Sequence, residues 1–405
     1  MTAPTESPTG PPADPALEAE IQAAADRTPD LLYSDTETEL RDSVRSLLAA
    51  RARPEDVLPR ADGTAGPGGD TGLWHALAAD LGCASLLVPE DDDGAGASFR
   101  EAATVAEELG RSVAPVPYLG SAIVATLVML SAGDHATLPE LARGDVTAAL
   151  AVGFETAPGA RFPLTAAVSG PRSGDGRSGT ARLRGTIRGV ADALDADLLI
   201  VPADGVPNGL YVVGARTEGV RRTPVVSLDM TRPLCDLEFT DAEGRPLASG
   251  QAAVDAFGLG LIGGAAGLAA EQLGVAEKCL EMTVAYVKER RQFARPVGSF
   301  QALKHRLADL WVAITQARAA ARYAAACLAA GHDDTPVAVA LAKAQCGDVA
   351  VRAAEECVQM HGGIGFTWEH PAHLYLKRAK ADSIGFGTSD QHRAALAGLV
   401  NLPRD

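Results

Sequence analysis

Two glycine clusters and one cysteine–histidine pair are the residues whose spacing could carry chemistry. Gly258-Leu-Gly260-Leu-Ile-Gly263 matches the dinucleotide fingerprint literally. That fingerprint works only between a strand and a helix, where the turn presents backbone amides to a pyrophosphate. The preceding Gln251–Phe257 does not alternate as a strand would, and a long helical pattern follows with no second strand. A glycine-rich helix start is the expected reading. Cys357 and His361, four apart, could share a helix face, but a metal needs more ligands than that. In Gln359-Met-His-Gly-Gly-Ile-Gly365, Gly362 and Gly363 lack Cβ, so their backbone can approach a ligand closely. There is no Gly-x-Ser-x-Gly elbow, P-loop or HExxH, so hydrolase and kinase chemistry have no support.

The elements that must position these residues fall into three stretches. Residues 1–30, rich in Pro, Thr, Ala and acids, read as a disordered tail with no secretory signal. Residues 31–145 read as helical. Leu40, Val44, Leu47 and Leu48 recur on one helical face, and Ser98 with Glu101 can cap a helix closed by Gly110. The acidic run in Val88–Gly96 reads as a solvated loop. Residues 146–250 change character, with short apolar runs at Ala148–Val152, Ala181–Leu183, Leu198–Val201, Gly209–Val213 and Leu234–Phe239 between turn residues. Pro171–Gly179 reads as a loop. Residues 251–405 are helical again, with helices expected over Glu271–Arg291, Ala302–Ala330, Pro336–Met360, Pro371–Ala381 and Asp390–Val400. The predicted class is α+β, mostly α: a helical domain, a small β-domain and a helical bundle.

Composition narrows the function. The chain has 405 residues, 47% apolar and 22% charged, enough for a large core and two or three domains. No apolar run is expected to reach the roughly 18 residues of a membrane span. A net charge of −16 argues against a nucleic-acid partner. The six cysteines show no CxxC and fit reduced thiols in a cytoplasmic protein.

Several segments, in order over most of the chain from about residue 35, resemble acyl-CoA dehydrogenases. They are Val88-Pro-Glu90 with Gly94 and Gly96, Glu107-Glu-Leu-Gly-Arg111, Pro115-x-Pro117 and Ser227-Leu-Asp-Met-Thr-Arg232. Tyr286-Val-Lys-Glu-Arg-Arg-Gln-Phe293, continuing to Phe300–Asp309, is the most specific, and Gln359-x-x-Gly-Gly-x-Gly365 completes the set. The resemblance implies a helical domain, a β-barrel-like domain and a four-helix bundle, paired into dimers and tetramers. It implies FAD shared between two chains and an acyl-CoA thioester as substrate. Arg290 would meet the cofactor's phosphates, as a diphosphate asks for a guanidinium and close backbone amides. Gln292 and Phe293 would flank the nucleotide, Gln301 and Gln359 would offer amides, and Gly362 and Gly363 would let the backbone approach. Thr388 is retained from the flavin-ring side.

The chain departs from the family on that side. Where the family usually reads Tyr-Glu-Gly-Thr, this sequence reads Gly385-Phe386-Gly387-Thr388, and Phe386 cannot accept a proton. The β-domain segment Phe154-Glu-Thr-Ala-Pro-Gly-Ala160 lacks the usual Gly-Ser-Asp, and the tryptophan strand beside the flavin is unrecognisable. Asp390 stands where a glutamine often helps bind the nucleotide. Some relatives carry the glutamate on the first long C-terminal helix, at a position that falls near Gly264 here. Glu271, about two turns or 10 Å further on, is a poor substitute. Asp382 and Asp390 are the other candidate bases, and Glu155 a weaker one. The expected function is a non-catalytic or half-site subunit, working with a glutamate-bearing homologous chain to form 2,3-enoyl-CoA. One alternative is a homo-oligomeric flavoenzyme with a relocated base or different flavin chemistry. Another is a flavin-free scaffold or thioester-binding protein.

Overall fold

Alanine-rich stripes closed by caps at one end of the chain and glycine-punctuated strands in the middle produce helix, sheet and helix in turn. The computed structural model describes residues 29–66, 68–162, 166–169, 180–203 and 208–401. The predicted tail over 1–28 and the predicted loop 171–179 lie outside the described residues.

The first helices are α1 (Asp35–Arg51), α2 (Pro54–Ala61), α3 (Thr71–His75), α4 (Phe99–Ser112), α5 (Thr126–Ala132) and α6 (Leu138–Ala142). Ser98 and Glu101 form the capping box that their spacing predicted. The acidic run is not wholly solvated: Asp92 is buried and pairs with His135 at 2.8 Å.

The strands are β1 (Ala148–Leu150), β2 (Ala166–Ser169), β3 (Ala181–Ala191), β4 (Leu198–Ala203), β5 (Gly209–Gly214), β6 (Val220–Val225) and β7 (Leu234–Ser249). They form one sheet in the order β1-β4-β5-β7-β3-β2, with β6 also on β7. The long β7 pairs with β3 and β6 through its first half and with β5 through its last residues, which curls the sheet into a half-barrel. Sequence reading missed β2 and β6. In β6 the run Val-Arg-Arg-Thr-Pro-Val has no apolar alternation. It is an edge strand, where Pro224 is tolerated and Arg221 pairs with Glu238 across the ladder.

The C-terminal part comprises α7 (Gln251–Glu289), a hairpin of β8 (Arg291–Gln292) and β9 (Arg295–Pro296), α8 (Gln301–Ala330), α9 (Thr335–His361), α10 (Ala372–Asp382) and α11 (Ser389–Leu399). The glycine cluster at 258–263 lies inside α7 rather than at a strand end, so it has no pyrophosphate geometry. Its helix starts about 20 residues earlier than expected, because the glycines serve close packing. A Cβ on Gly274 would run into the Glu107 carbonyl, and one on Gly110 into the Glu271 carbonyl, so α4 and α7 cross backbone to backbone. Helix α7 is also long and apolar enough to cross a bilayer by length and composition, contrary to the sequence expectation. However, 67% of its most apolar window is buried inside the protein. One core joins the helices to the inner face of the sheet, and a smaller one fills the half-barrel.

Candidate functional site

The sequence-predicted residues separate into an exposed group and a buried one. Arg290 caps the C-terminus of α7, Gln292 lies in β8, Gln301 begins α8, Gln359 lies in the last turn of α9, and Gly362 and Gly363 follow. All are exposed. They gather at one end of the bundle because the His361 ring stacks on Tyr286, 4.3 Å away, joining the ends of α7 and α9. Arg290 has no ion-pair partner among the described residues, so its guanidinium is available to an anion. Gly362 adopts φ 64°, which favours glycine, and neither glycine has an atom within 4 Å of where a Cβ would stand. Phe293 and Ala294 hold left-handed φ values at the hairpin tip, leaving Phe293 87% exposed, and Phe366 and Trp368 after the glycine turn are exposed as well. Such an apolar surface marks an interaction face.

Thr388 does not join this group. Its hydroxyl accepts from the Gln391 backbone N–H and caps α11. Lys343, beneath it, is 16 residues before Gln359 on α9, about 24 Å along the helix axis.

The buried half is closed. Phe386 sits in a left-handed turn, φ 51°, followed by Gly387 at φ 96°. The turn is held from four sides. The Phe386 N–H donates to the Phe154 carbonyl at 2.7 Å, and His392 Nε2 donates to the Phe386 carbonyl at 2.8 Å. Lys343 Nζ donates to the carbonyls of Asp382 at 3.0 Å and Gly387 at 3.2 Å, and Gln272 donates to that of Asp382. The Phe386 ring packs edge-on against Phe154, centroids 5.7 Å apart. It also lies over Gly264, where an added Cβ would stand 2.5 Å from Cε1. So Phe386 and Gly264, far apart in the sequence, are in direct contact. The cavity left between Phe386, Phe154, Val124, Leu150 and Asp192 is about 20 Å³, room for about one water. A flavin ring does not fit there as the side chains stand. The exposed group at the bundle end, with a guanidinium and open glycine backbone, suits an anionic ligand; the closed turn around Phe386 leaves no room for a ring system.

The interlock predicts a coupling. Gly264→Ala is expected to lose about 1–3 kcal/mol in urea unfolding, and the loss should shrink once Phe386 is also shortened to Ala. Equal losses in both backgrounds would refute the contact.

The candidate bases are dispersed. Asp390 is exposed at the start of α11 and pairs with Arg393 at 3.1 Å. Glu155 is exposed too. Glu271 and Asp382 meet in a sealed charge cluster that the sequence did not reveal. Glu271 takes Arg232 at 2.6 Å and Arg378 at 2.6 Å. Arg378 reaches Asp229 at 2.7 Å, and Arg232 stands 3.6 Å from Asp382. Burial alone would raise the Glu271 pKa, but the two guanidiniums outweigh it and hold the carboxyl below its ordinary value. A base so neutralised is weak. Asp382 has neither oxygen hydrogen-bonded, and burial beside the Glu271 carboxylate pushes it up to about 8. It holds a proton and is fully buried. Three buried cations (Arg232, Lys343, Arg378) lie among four buried carboxylates (Asp192, Asp229, Glu271, Asp382). Lys343 gave one legible hint, as a lone cation in the alanine-rich Val339–Ala344.

Opposite pH limbs follow. The folded pKa of Asp382 lies above its ordinary 3.8, so its favourable contribution is complete below about pH 4 and is lost as pH climbs toward 8. Glu271 is depressed, so its contribution is present above its ordinary 4.5 and is lost on acidification. Asp382→Asn is expected to remove the first limb, leaving urea stability flatter between mildly acid and mildly alkaline pH. An unchanged alkaline decline in the variant would show that Asp382 is not its source.

The description "Acyl-CoA dehydrogenase, N-terminal domain" matches residues 34–145, and "Acyl-CoA dehydrogenase, C-terminal domain" matches 259–399. The chain is 37% identical over 342 residues to acyl-CoA dehydrogenase IpdE2 of Mycobacterium tuberculosis, covering 84% of this chain and 89% of that one. It is 34% identical to IpdE2 of Mycolicibacterium smegmatis, covering 84% and 91%. Among solved structures it resembles the ChsE4-ChsE5 complex of Mycobacterium tuberculosis, with a TM-score of 0.80 and 27% identity, covering 93% of this chain and 100% of the matched one. The Tcur3481-Tcur3483 steroid acyl-CoA dehydrogenase G363A variant gives 0.78 and 28%, covering 91% and 98%. With both terminal domains matched and IpdE2 aligned over most of its length, the chain belongs to the acyl-CoA dehydrogenase family, whose members bind FAD.

Proposed function

We propose that this chain is the half-site subunit of a heteromeric acyl-CoA dehydrogenase that forms 2,3-enoyl-CoA. The observation that carries the reading is the asymmetry of its two halves. The nucleotide side is open and built, with Arg290 unpaired and Gly362 and Gly363 facing free space, while the flavin side is filled by Phe386 and Phe154. Arg290, Gln292, Phe293, Gln301, Gln359, Gly362 and Gly363 would hold the nucleotide end of an FAD whose ring lies in the partner. FAD supplies the hydride acceptor of the reaction. Thr388 is left to helix capping.

A glutamate-bearing homologous subunit would supply the base, which must stand within hydrogen-bond reach of the alpha carbon's proton. The similarity to chains of the ChsE4-ChsE5 complex supports a partner of this kind. The exposed Phe293, Phe366 and Trp368 give that partner an apolar surface beside the nucleotide residues. The acyl-CoA substrate then binds on the partner's side, and this chain's own pocket stays shut.

The test is turnover. Supplied with FAD and an acyl-CoA, the chain alone is expected to be inactive, and activity should appear with a glutamate-bearing homologue. Dehydrogenation by the lone chain at an ordinary enzyme rate would overturn the reading.

A further inference from the structure

The loop that carries Gly362 and Gly363 is closed at its base by two rings that the proposed function does not use. His361, the last residue of α9, is buried, and its ring centroid lies 4.3 Å from that of Tyr286 and 4.2 Å from that of His370. The three rings come from the end of α7, the end of α9 and the turn before α10. Between the two histidines run Gly362, Gly363, Ile364, Phe366 and Trp368, all exposed. Hydrogen bonds fix how each imidazole is held. His361 Nδ1 donates to the Cys357 carbonyl at 2.6 Å, with the Cys357 sulfur 3.6 Å away. His370 Nδ1 instead accepts the backbone N–H of Ala372, the first residue of α10, at 3.2 Å.

From this geometry we infer that His361 and His370 form a proton-sensitive clasp that positions the nucleotide-binding loop 362–369. The inference deepens the half-site reading and rests on it for the ligand, not for the clasp. Imidazole is the side chain that ordinarily titrates near neutral pH. A first proton goes to His361. Its Nδ1 is already a donor, so adding a proton at Nε2 breaks no hydrogen bond among the described residues. A second proton, on His370, would occupy the Nδ1 that now accepts from Ala372. It would also set two imidazolium rings 4.2 Å apart. The charges agree with this order. Burial and then the His361 charge hold His370 below its ordinary value, while at His361 burial is outweighed by the hydrogen bonds to Cys357, which raise it.

The other titratable and charged groups at the clasp come from each element around it. Cys357 faces His361 from α9 and Tyr286 faces it from α7, while Glu369 beside His370 is exposed. On α10, His373 and Lys377 meet the loop through the Trp368 ring, at 4.6 and 4.2 Å. Burial and then Lys377 push His373 down to about 4, so it stays neutral above about pH 5.5. The His361 contribution is complete below its ordinary 6.5 and is lost as pH rises through its folded value. The His370 contribution is complete above 6.5 and is lost as pH falls through its own. The loop is therefore held best near pH 6.5 and loosens on both sides.

The experiment labels the full-length chain with 5-fluorotryptophan and follows it by fluorine NMR between about pH 5.5 and 8.5, a range centred near imidazole titration. The three tryptophans give three resonances, and Trp368→Phe assigns the one in the loop. The Trp368 shift is expected to hold steady near pH 6.5 and to move toward either end. His370→Phe, which keeps a ring in the stack, should abolish the acid limb alone, and His361→Phe the alkaline limb alone. A Trp368 resonance indifferent to pH in the parent chain, or limbs that survive in both variants, would overturn the inference. In the assembly with a glutamate-bearing homologue, FAD should bind about tenfold more weakly at about pH 5.5 than one unit higher, the factor that one linked proton gives. His370→Phe should restore the tighter binding. FAD binding that ignores pH while Trp368 responds would overturn the clasp's hold on the nucleotide residues. An assembly that binds no FAD at any pH would instead overturn the half-site reading, with the clasp still standing on the Trp368 profile.

Discussion

Purified alone, the chain should be colourless, and it should turn yellow only when co-expressed with a glutamate-bearing homologue. The physical reason is the size of the residual flavin-side cavity, about 20 Å³, against a nucleotide face that is open. The visible spectrum, read together with mass in solution, should give less than one FAD per chain in the assembly. Arg290→Ala in this assembly removes a guanidinium from the expected diphosphate contact. A hydrogen bond to a charged group is worth about 1.5–3 kcal/mol, so FAD should bind about 10–100-fold more weakly. Phe386→Leu should leave that affinity nearly unchanged, because Phe386 lies with the buried turn and not at the bundle end. A yellow homo-oligomer carrying one FAD per chain would refute the half-site reading, and so would an Arg290→Ala assembly that retains FAD as well as the parent.

The largest stability effect is expected at Glu271. Removing its carboxylate strands Arg232 and Arg378, which are 4% and 2% exposed, with too little negative charge around them. Breaking a buried pair this way costs about 3–5 kcal/mol, a large part of the roughly 5–15 kcal/mol that holds a domain together. Glu271→Ala should therefore unfold at much lower urea, with Glu271→Gln losing less because it keeps some hydrogen bonding. If Glu271 were instead a relocated catalytic base, Glu271→Gln would abolish turnover by the assembly while leaving its unfolding midpoint where it was. A stable Glu271→Ala protein would show that the cluster contributes little.

Much of the fold was legible from local chemistry. The Ser98 and Glu101 cap is a four-residue pattern, and Gly331 ends α8 in the left-handed conformation that glycine favours. The exposed group proposed to hold the nucleotide could be picked out for the same reason, since Arg290 through Phe293 and Gln359 through Gly363 are short contiguous motifs. The helical class followed from alanine-rich periodicity and a small β-domain from short apolar runs between turns, while its barrel-like form was implied by the family resemblance.

What only the tertiary structure decided depends on residues distant along the chain. Gly264 and Phe386 each read as an isolated oddity, one in a glycine-rich run and one in place of an acid. Their contact, which closes the flavin side, arises because α7 and the turn before α11 meet in three dimensions. Glu271 and Asp382 looked like comparable candidate bases. Their opposite protonation behaviour comes from Arg232 in the connection between β6 and β7 and Arg378 on α10, which burial brings to Glu271 and leaves farther from Asp382. The sequence by itself determined the family and the nucleotide motif, because both are carried by contiguous segments. Whether a carboxylate is a base, and whether a pocket is open, depended on long-range packing and on the electric field that packing creates.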